Sequence, residues 1–579
     1  MQKAFRIGLY ACLLLLGFYI RLTGLTWGLN SGYGHDRNFQ PDEFVSLRGV
    51  RELDLLKGRI KCPGAYFEGT FNYYLWAVPQ AMLKLCGKKE GHFTDSPSSK
   101  STSDLLYICR WMSVVFDLCT IIVVFLAIKE ATQNLYPSLI GALCYAVVPM
   151  QVIYAHFMRT HILTNLLCAL VIWLSLKLRN SRRWQLLITV GFISGLAMAT
   201  RYPAGIIVLI PCLYLLLTGS DNSPNRRTPF WERAKAFVLG PVWLIALGFL
   251  IGLFLGHPML FLDPSSVAKA ITSETLKYAS LQEFSTSRLV NLSAVWKYLT
   301  YLIPYGMYPL LWVVPYFSIL YLIFRRSLYR QSLPVLIFSF LYLYFMSKGY
   351  LRPFFARAAM PLFPGFCVLA GLACNDLLSR FANRRAAAPL LAVALVLLVG
   401  PSVLFDTAYA RAMRHKDARL LLRKDLQTWI GTAPATIGVS PLGPYFYMVL
   451  PAAAPLASNM VTVQLQGPTQ RADFFLIGFP HQLEPAHLNA IIGATEAQEI
   501  FKYEKSYNVP VRIFGREFNL ARFPQDMTYP FPMILLFRAK SSQHQLENSE
   551  TKFMPAYELQ TEFRAKGCFL IADNGASAR

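Results

Sequence analysis

The chain has 579 residues, 54% of them hydrophobic, and a mean hydropathy of +0.38, more than a soluble globule carries. Only 15% of residues are charged, yet Lys and Arg outnumber Asp and Glu by 56 to 32, a formal net charge of +24. The basic residues cluster in short loops between apolar runs, so orientation in a bilayer accounts for them and nucleic-acid binding is set aside.

The first apolar run, Phe5 to about Leu25, follows Lys3 and Arg6, contains Arg21 and lacks a small-residue cleavage site. It reads as an uncleaved anchor with a cytoplasmic N-terminus. A first outer loop follows, over about residues 26–107. Within it Phe71–Leu85 is apolar, aromatic-rich and short for a span, and counting it as one would turn every later basic loop outward. It is therefore predicted to lie along the outer interface, followed by a polar insertion over Gly87–Asp104. Ten further spans are predicted near 108–129, 136–153, 162–178, 184–200, 203–219, 236–256, 304–324, 331–347, 354–375 and 386–405.

The basic stretches Lys177–Arg183, Arg226–Lys235, Arg325–Arg330 and Arg380–Arg385 fall on alternate connections, which assigns those loops to the cytoplasm. Eleven spans that start inside end outside, placing everything after Phe405 on the outer face. There the apolar runs give way to helix-like Ala418–Ile430 and strand-like Val511–Phe514 and Met533–Phe537. The expected fold is mainly α. A polytopic membrane domain over 1–405, with about eleven transmembrane helices and interfacial helices in the first outer loop, precedes a smaller mixed α/β extracytoplasmic domain over 406–579. The 11 cysteines form no C-x-x-C; Cys62 and Cys86 share the first loop and either pair there or stay as thiols.

Ionisable residues gather on the predicted outer face. Asp42 and Glu43 follow Pro41, and acids at that place can simply begin a short helix, where they complement its dipole. Their neighbours Tyr33, His35 and Arg37, and a position where a carboxylate meets both a lipid-borne group and a water-side acceptor, favour chemistry. Glu68, His156, Arg159, His161 and His257 share that face. Arg201 sits in a turn between two spans, where a lipid phosphate gains a charge-assisted bond, and Lys348, Arg352 and Arg357 surround the next outward turn. Snorkelling is the plain alternative for each arginine. His156 and His161 lack metal-ligand spacing and no H-E-x-x-H occurs, so no metal or other cofactor is assigned and a divalent cation has little support. Asn291-Leu292-Ser293 is a glycosylation sequon. The chain has no P-loop, G-x-S-x-G or G-x-G-x-x-G, which argues against an ATP-driven pump and an α/β-hydrolase.

Several stretches carry a resemblance. The anchor ending in Arg21, the motif Gln40-Pro41-Asp42-Glu43, the run Tyr66 to Tyr74 and a span opening with Arg110 are followed by Ser194 to Tyr202 and Arg357 to Pro364. In order and spacing over roughly residues 1–410 they resemble the GT-C class of membrane glycosyltransferases. The likeness is to the phospholipid-carrier-dependent group related to protein O-mannosyltransferases and the lipid A aminoarabinose transferase. It implies a sugar donor on a polyprenyl phosphate, used on the non-cytoplasmic face of a membrane, here a prokaryotic plasma (inner) membrane, with inverting transfer to a hydroxyl of a glycan, lipid or protein. By matching position Asp42 would be the base or its orienter, Glu43 its helper or a metal-facing partner, and Arg201 and Arg357 would neutralise the departing lipid phosphate. Many relatives carry a second acid in the turn before His161; here Pro149 to His161 holds none, so Glu68 or His161 would have to stand in. Tyr73, Tyr74 and Trp76 are expected to wall the groove for the prenyl tail. The competing reading is a transporter or flippase of lipid-linked sugar that performs no chemistry.

Overall fold

The computed structural model describes residues 2–29, 40–87, 100–178, 181–218, 230–279, 292–347, 355–381, 387–415, 417–430, 435–439, 460–464, 473–479, 485–496, 501–528 and 530–539. Tyr33, His35, Arg37, Asn291, Lys348 and Arg352 lie outside them, as does most of the predicted polar insertion.

Helix dominates the first three quarters of the chain. α1 (Gln2–Leu22) leads to α2 (Pro41–Glu52) and α3 (Phe71–Leu85), then α4 (Lys100–Thr132), α5 (Leu135–Ala146), α6 (Pro149–Ala155), α7 (His161–Lys177) and α8 (Trp184–Thr200). A 3-10 segment, Tyr202–Val208, enters α9 (Leu209–Thr218), and α10 (Phe230–Leu239), α11 (Pro241–Gly256), α12 (Met259–Leu262) and α13 (Pro264–Ala279) follow. Beyond them come α14 (Leu292–Lys297), α15 (Ile303–Gly306), α16 (Val313–Ile323), α17 (Tyr329–Ser347), a 3-10 segment Ala356–Leu362 that runs into α18 (Phe363–Phe381), and α19 (Ala387–Ala412).

Among the described residues, Asp104–Thr132, Ala356–Arg380 and Ala392–Ala412 are long and apolar enough to cross a membrane. Two pairs, α5 with α6 and α10 with α11, meet the same test jointly but bend by 59° and 45°. Over an apolar stretch of 18 residues in each, Ala356–Arg380 is 94% buried within the protein and Ala392–Ala412 only 28%, so α18 is the hub of the bundle and α19 turns most of its apolar surface outward. Helices α8 and α11 touch backbone to backbone. A Cβ on Gly191, Gly195 or Gly252 would stand 2.1 Å from a carbonyl oxygen of the facing helix, and one on Gly248 would stand 2.2 Å away. Glycines four residues apart on both helices are therefore what permits the approach.

The last part of the chain adds strands. After α20 (Ala418–Ile430) come β1 (Ala435–Val439), β2 (Met460–Gln464), β3 (Phe474–Phe479), α21 (Pro485–Glu496), β4 (Phe501–Tyr507), β5 (Val511–Ile513), β6 (Arg516–Phe518) and β7 (Met533–Ala539). Five form one mixed sheet in the order β2-β1-β3-β7-β4, parallel at β1 and antiparallel around β7; β5 and β6 make a hairpin. Alternation sorts the side chains of β3 and β7. Phe475, Ile477, Leu535 and Phe537 pack with Ile491 of α21, whereas Leu476, Ile534 and Leu536 join α20 and the core of the helical bundle. The sheet is thus fused to the helices through one face.

The segment between β6 and β7 extends this junction. Phe523 stacks on Phe405 of α19, centroids 5.5 Å apart and planes at 11°, and meets Tyr305 and Tyr308 edge-on or tilted at 4.9 Å. Tyr409 Oη donates to the carbonyl of Met527 (2.6 Å) and Tyr301 Oη to that of Arg522 (3.1 Å).

Candidate active site

Gln40 caps α2, its Oε1 accepting from the Glu43 amide at 2.8 Å, and Pro41 opens the helix. Asp42 and Glu43 do begin a helix, but their side chains leave it in different directions. Glu43 is 3% exposed, and Arg110 of α4 grips both its oxygens, Nε to Oε1 at 2.9 Å and Nη2 to Oε2 at 2.6 Å. The Met158 amide adds a bond to Oε1 at 2.7 Å, and Arg110 Nη1 reaches the carbonyls of Leu25 and Trp27. Glu43 thereby ties the first loop to α4 and to the turn before α7.

Asp42 faces a different set of groups. Its Oδ2 accepts from Arg357 Nη1 at 2.7 Å, while Oδ1 accepts no bond among the described residues and 22% of the side chain stays open. Burial pushes this carboxyl up, but the guanidiniums of Arg357, Arg159 and Arg201 outweigh it and hold Asp42 below the ordinary carboxylate range. Arg357 lies over the Phe355 ring at 4.0 Å and also donates to Tyr154 Oη at 3.0 Å.

The turn expected to lack an acid receives one from the first loop. Glu68 Oε1 accepts from Arg159 Nη2 at 2.7 Å and stands 3.9 Å from Arg201 Nη1; Tyr73 Oη donates to Oε2 at 3.3 Å. Gly69 makes this possible: its φ is +124°, and a Cβ there would lie 2.4 Å from the Ala199 carbonyl at the end of α8. Arg159 Nη1 also holds the Asp42 carbonyl (2.9 Å) and Ser46 Oγ (3.2 Å). Arg201 Nη1 donates to His161 Nε2 at 2.8 Å and to Thr160 Oγ1 at 3.3 Å. Because a guanidinium only donates, His161 accepts at Nε2 and is neutral, with its proton on Nδ1.

Asp42, Glu68, His161, Arg201 and Arg357, separated by up to 315 residues, are therefore brought into one cluster with Arg159 and Tyr154. Glu43 adjoins it, with both oxygens engaged. Tyr73 and Trp76 do not wall a groove: with Ala77 and Gln80 they occupy the buried face of α3, and the exposed apolar side is Val78, Met82 and Leu85. Cys62 is buried, Cys86 exposed, and neither is in a disulfide. Among the described residues no three His, Cys, Asp or Glu side chains converge as metal ligands. The donor set does not fit a divalent cation either. Glu43 is paired with Arg110, Glu68 with Arg159 and Asp42 with Arg357, so each carboxylate already has a fixed cation.

Two participants carried little signal in the sequence. Arg110 stood out only as the first residue of a span. Asp526, whose Oδ1 and Oδ2 accept from the Ala356 and Arg357 amides at 3.2 and 2.8 Å, lies in a region without a readable motif.

Residues 104–245, which include Arg110, Arg159, His161 and Arg201, match the sequence profile of the dolichyl-phosphate-mannose-protein mannosyltransferase family. The resemblance read from the sequence is borne out. No curated protein sequence matches the chain. Solved structures similar to it include the following three. ArnT from Cupriavidus metallidurans bound to undecaprenyl phosphate aligns with a TM-score of 0.45 and 15% identity over 93% of this chain and 98% of that one. The Archaeoglobus fulgidus oligosaccharyltransferase, in complex with Zn and sulfate, aligns at 0.44 and 13% over 85% and 71%. ArnT from Cupriavidus metallidurans in the apo state aligns at 0.43 and 12% over 92% and 98%.

Proposed function

We propose that the chain is an integral-membrane glycosyltransferase that moves a sugar from a polyprenyl-phosphate carrier to an acceptor hydroxyl, with Asp42 as base. The observation that carries this reading is the pairing of Asp42 with Arg357 in a cluster that also holds Arg159, Arg201 and a neutral His161. The family profile over residues 104–245, whose description names a polyprenyl-phosphate sugar, supports the donor class.

Displacement at an anomeric carbon needs a deprotonated nucleophile on one side and charge relief for the leaving phosphate on the other. Asp42 Oδ1, which accepts no bond among the described residues, takes the acceptor proton. The hydroxyl oxygen bonds to the anomeric carbon, the bond from that carbon to the phosphate oxygen breaks, and the configuration inverts. Arg357 and Arg201 then face the phosphate, and Lys348 and Arg352, close to Arg357 in sequence, are assigned to the same phosphate. Arg357 links the two halves: a donor phosphate that draws its guanidinium away removes the charge holding Asp42 acidic, so the base strengthens as the donor binds. Glu43 and Arg159 hold the loop that presents Asp42.

In the same reading each apolar helix or bent pair is one crossing. The N-terminus is cytoplasmic, the cluster and the strand-bearing part over 406–579 face outward, and the exposed side of α3 rests in the interface. The purified chain in nanodiscs, offered labelled hexoses and pentoses on polyprenyl phosphate, tests the reading. Transfer to an endogenous acceptor extract is expected, and failure with every donor sinks it.

A further inference from the structure

We propose that Asp526 is a positioning residue through which the strand-bearing C-terminal part sets Arg357 against Asp42. The inference rests on the function proposed above. The 3-10 segment Ala356–Leu362 begins after Phe355 with no side-chain cap of its own. Amides at such a start lack partners unless something supplies them. Asp526, fully buried and about 170 residues further along the chain, supplies both bonds: Oδ1 accepts from Ala356 N at 3.2 Å and Oδ2 from Arg357 N at 2.8 Å.

The backbone of Arg357 is thus held by the C-terminal part while its guanidinium is held by Asp42, Tyr154 and the Phe355 ring. Asp526 is itself firmly placed. The Tyr409 bond to the Met527 carbonyl, the Tyr301 bond to the Arg522 carbonyl and the Phe405–Phe523 stack fix its segment to α19 and to the region around α15. A neutral cap would satisfy a helix start at lower desolvation cost. A carboxylate there adds a negative charge behind Arg357, opposite to Asp42. A shift of this segment moves the arginine that grips the phosphate without touching the donor.

A double-mutant cycle on the full chain in nanodiscs reads this, with undecaprenyl phosphate as the probe. Asp526→Asn keeps the volume but leaves one amide without an acceptor. In the wild-type background it is expected to weaken binding about tenfold, the scale of one lost buried hydrogen bond. In an Arg357→Ala background it is expected to weaken binding less than about twofold, because the residue it acts through is gone. Equal weakening in both backgrounds, or none in either, overturns the proposal. A wild-type chain that does not bind the probe at all instead sinks the functional reading and this inference with it. If Asp526→Asn does not fold, Asp526→Glu, which keeps two acceptor oxygens, carries the same cycle.

A pH profile adds a readout that a purely structural role would leave unmoved. Burial pushes the Asp526 carboxyl up to about 6, against the pull of Arg357 and the two amides. The other groups facing it are the phenols of Tyr154, Tyr298, Tyr301 and Tyr409. Asp42, beyond Arg357, is held low in the donor-free protein, so the quantity read is kcat/KM, which reports groups of the free enzyme. Transfer from a sugar-phosphate diester, which does not titrate in this range, is expected to fall in the wild type as pH drops through about 6. The same limb is expected to be flat in Asp526→Asn; an unchanged limb counts against the proposal.

Discussion

Asp42 and Glu43 are neighbours in sequence and opposites in role. Glu43 is sealed against Arg110, with side chains 4% and 2% exposed, so removing its charge strands a buried guanidinium. Glu43→Gln is expected to lower unfolding stability by about 3 kcal/mol, measured by thermal or denaturant unfolding in detergent. Asp42→Asn, at a partly open site, is expected to leave stability within about 1 kcal/mol. A Glu43→Gln protein as stable as wild type would return Glu43 to the reacting groups. The sign of the pH effect follows from the same pairing. Asp42 is depressed in the folded state, so its stabilising share is present above the ordinary carboxylate range and is lost as pH falls through its lowered value. The pair was legible as a motif because two acids after a proline near a span are unusual. Its division into base and helper came only with the resemblance, and the partners that enforce it were not legible, since Arg110 and Arg357 lie 67 and 315 residues away.

At the scale of elements, the contact of α8 with α11 sets where Arg201 stands, because α8 ends at Thr200 and Arg201 follows as its cap. Gly191→Leu or Gly248→Leu would drive a side chain into backbone 2.1 or 2.2 Å from its Cβ. Either is expected to cost at least about 1–3 kcal/mol, read as a lowered melting temperature, whereas Gly400→Leu on α19, with open space around it, is expected to be neutral. Equal effects at all three sites would contradict the packing. The helices were legible because about twenty apolar residues leave few alternatives. Ala418–Ile430 was read at its observed bounds, and Val511–Phe514 and Met533–Phe537 correspond to β5 and β7. Strands β1 to β4 carry weak signals in the sequence for physical reasons. β1 is a five-residue parallel strand with no alternation to read, and β4 (Phe501–Tyr507) carries two lysines and a glutamate among its aromatics. The 45° bend at Gly240 turned part of an expected basic loop into α10, because Phe230–Leu239 is amphipathic rather than uniformly polar.

For the whole molecule, the strand-bearing part is not a separate appendage. One face of its sheet shares a core with the bundle, and its Asp526 touches the segment carrying Arg357. No periodicity or motif announces that junction; the nearest hint is an aromatic-rich stretch, Phe518 to Phe531, inside a polar region. The molecule so assembled presents a partly open carboxylate, Asp42, to a cluster of arginines, and that carboxylate is the proposed base. The most direct test is the turnover of labelled sugar from polyprenyl phosphate by wild type and by Asp42→Asn, both folded in nanodiscs. A fall of about a hundredfold or more in kcat with little change in donor KM is the expected result. An Asp42→Asn protein that turns over within about tenfold of wild type would contradict it.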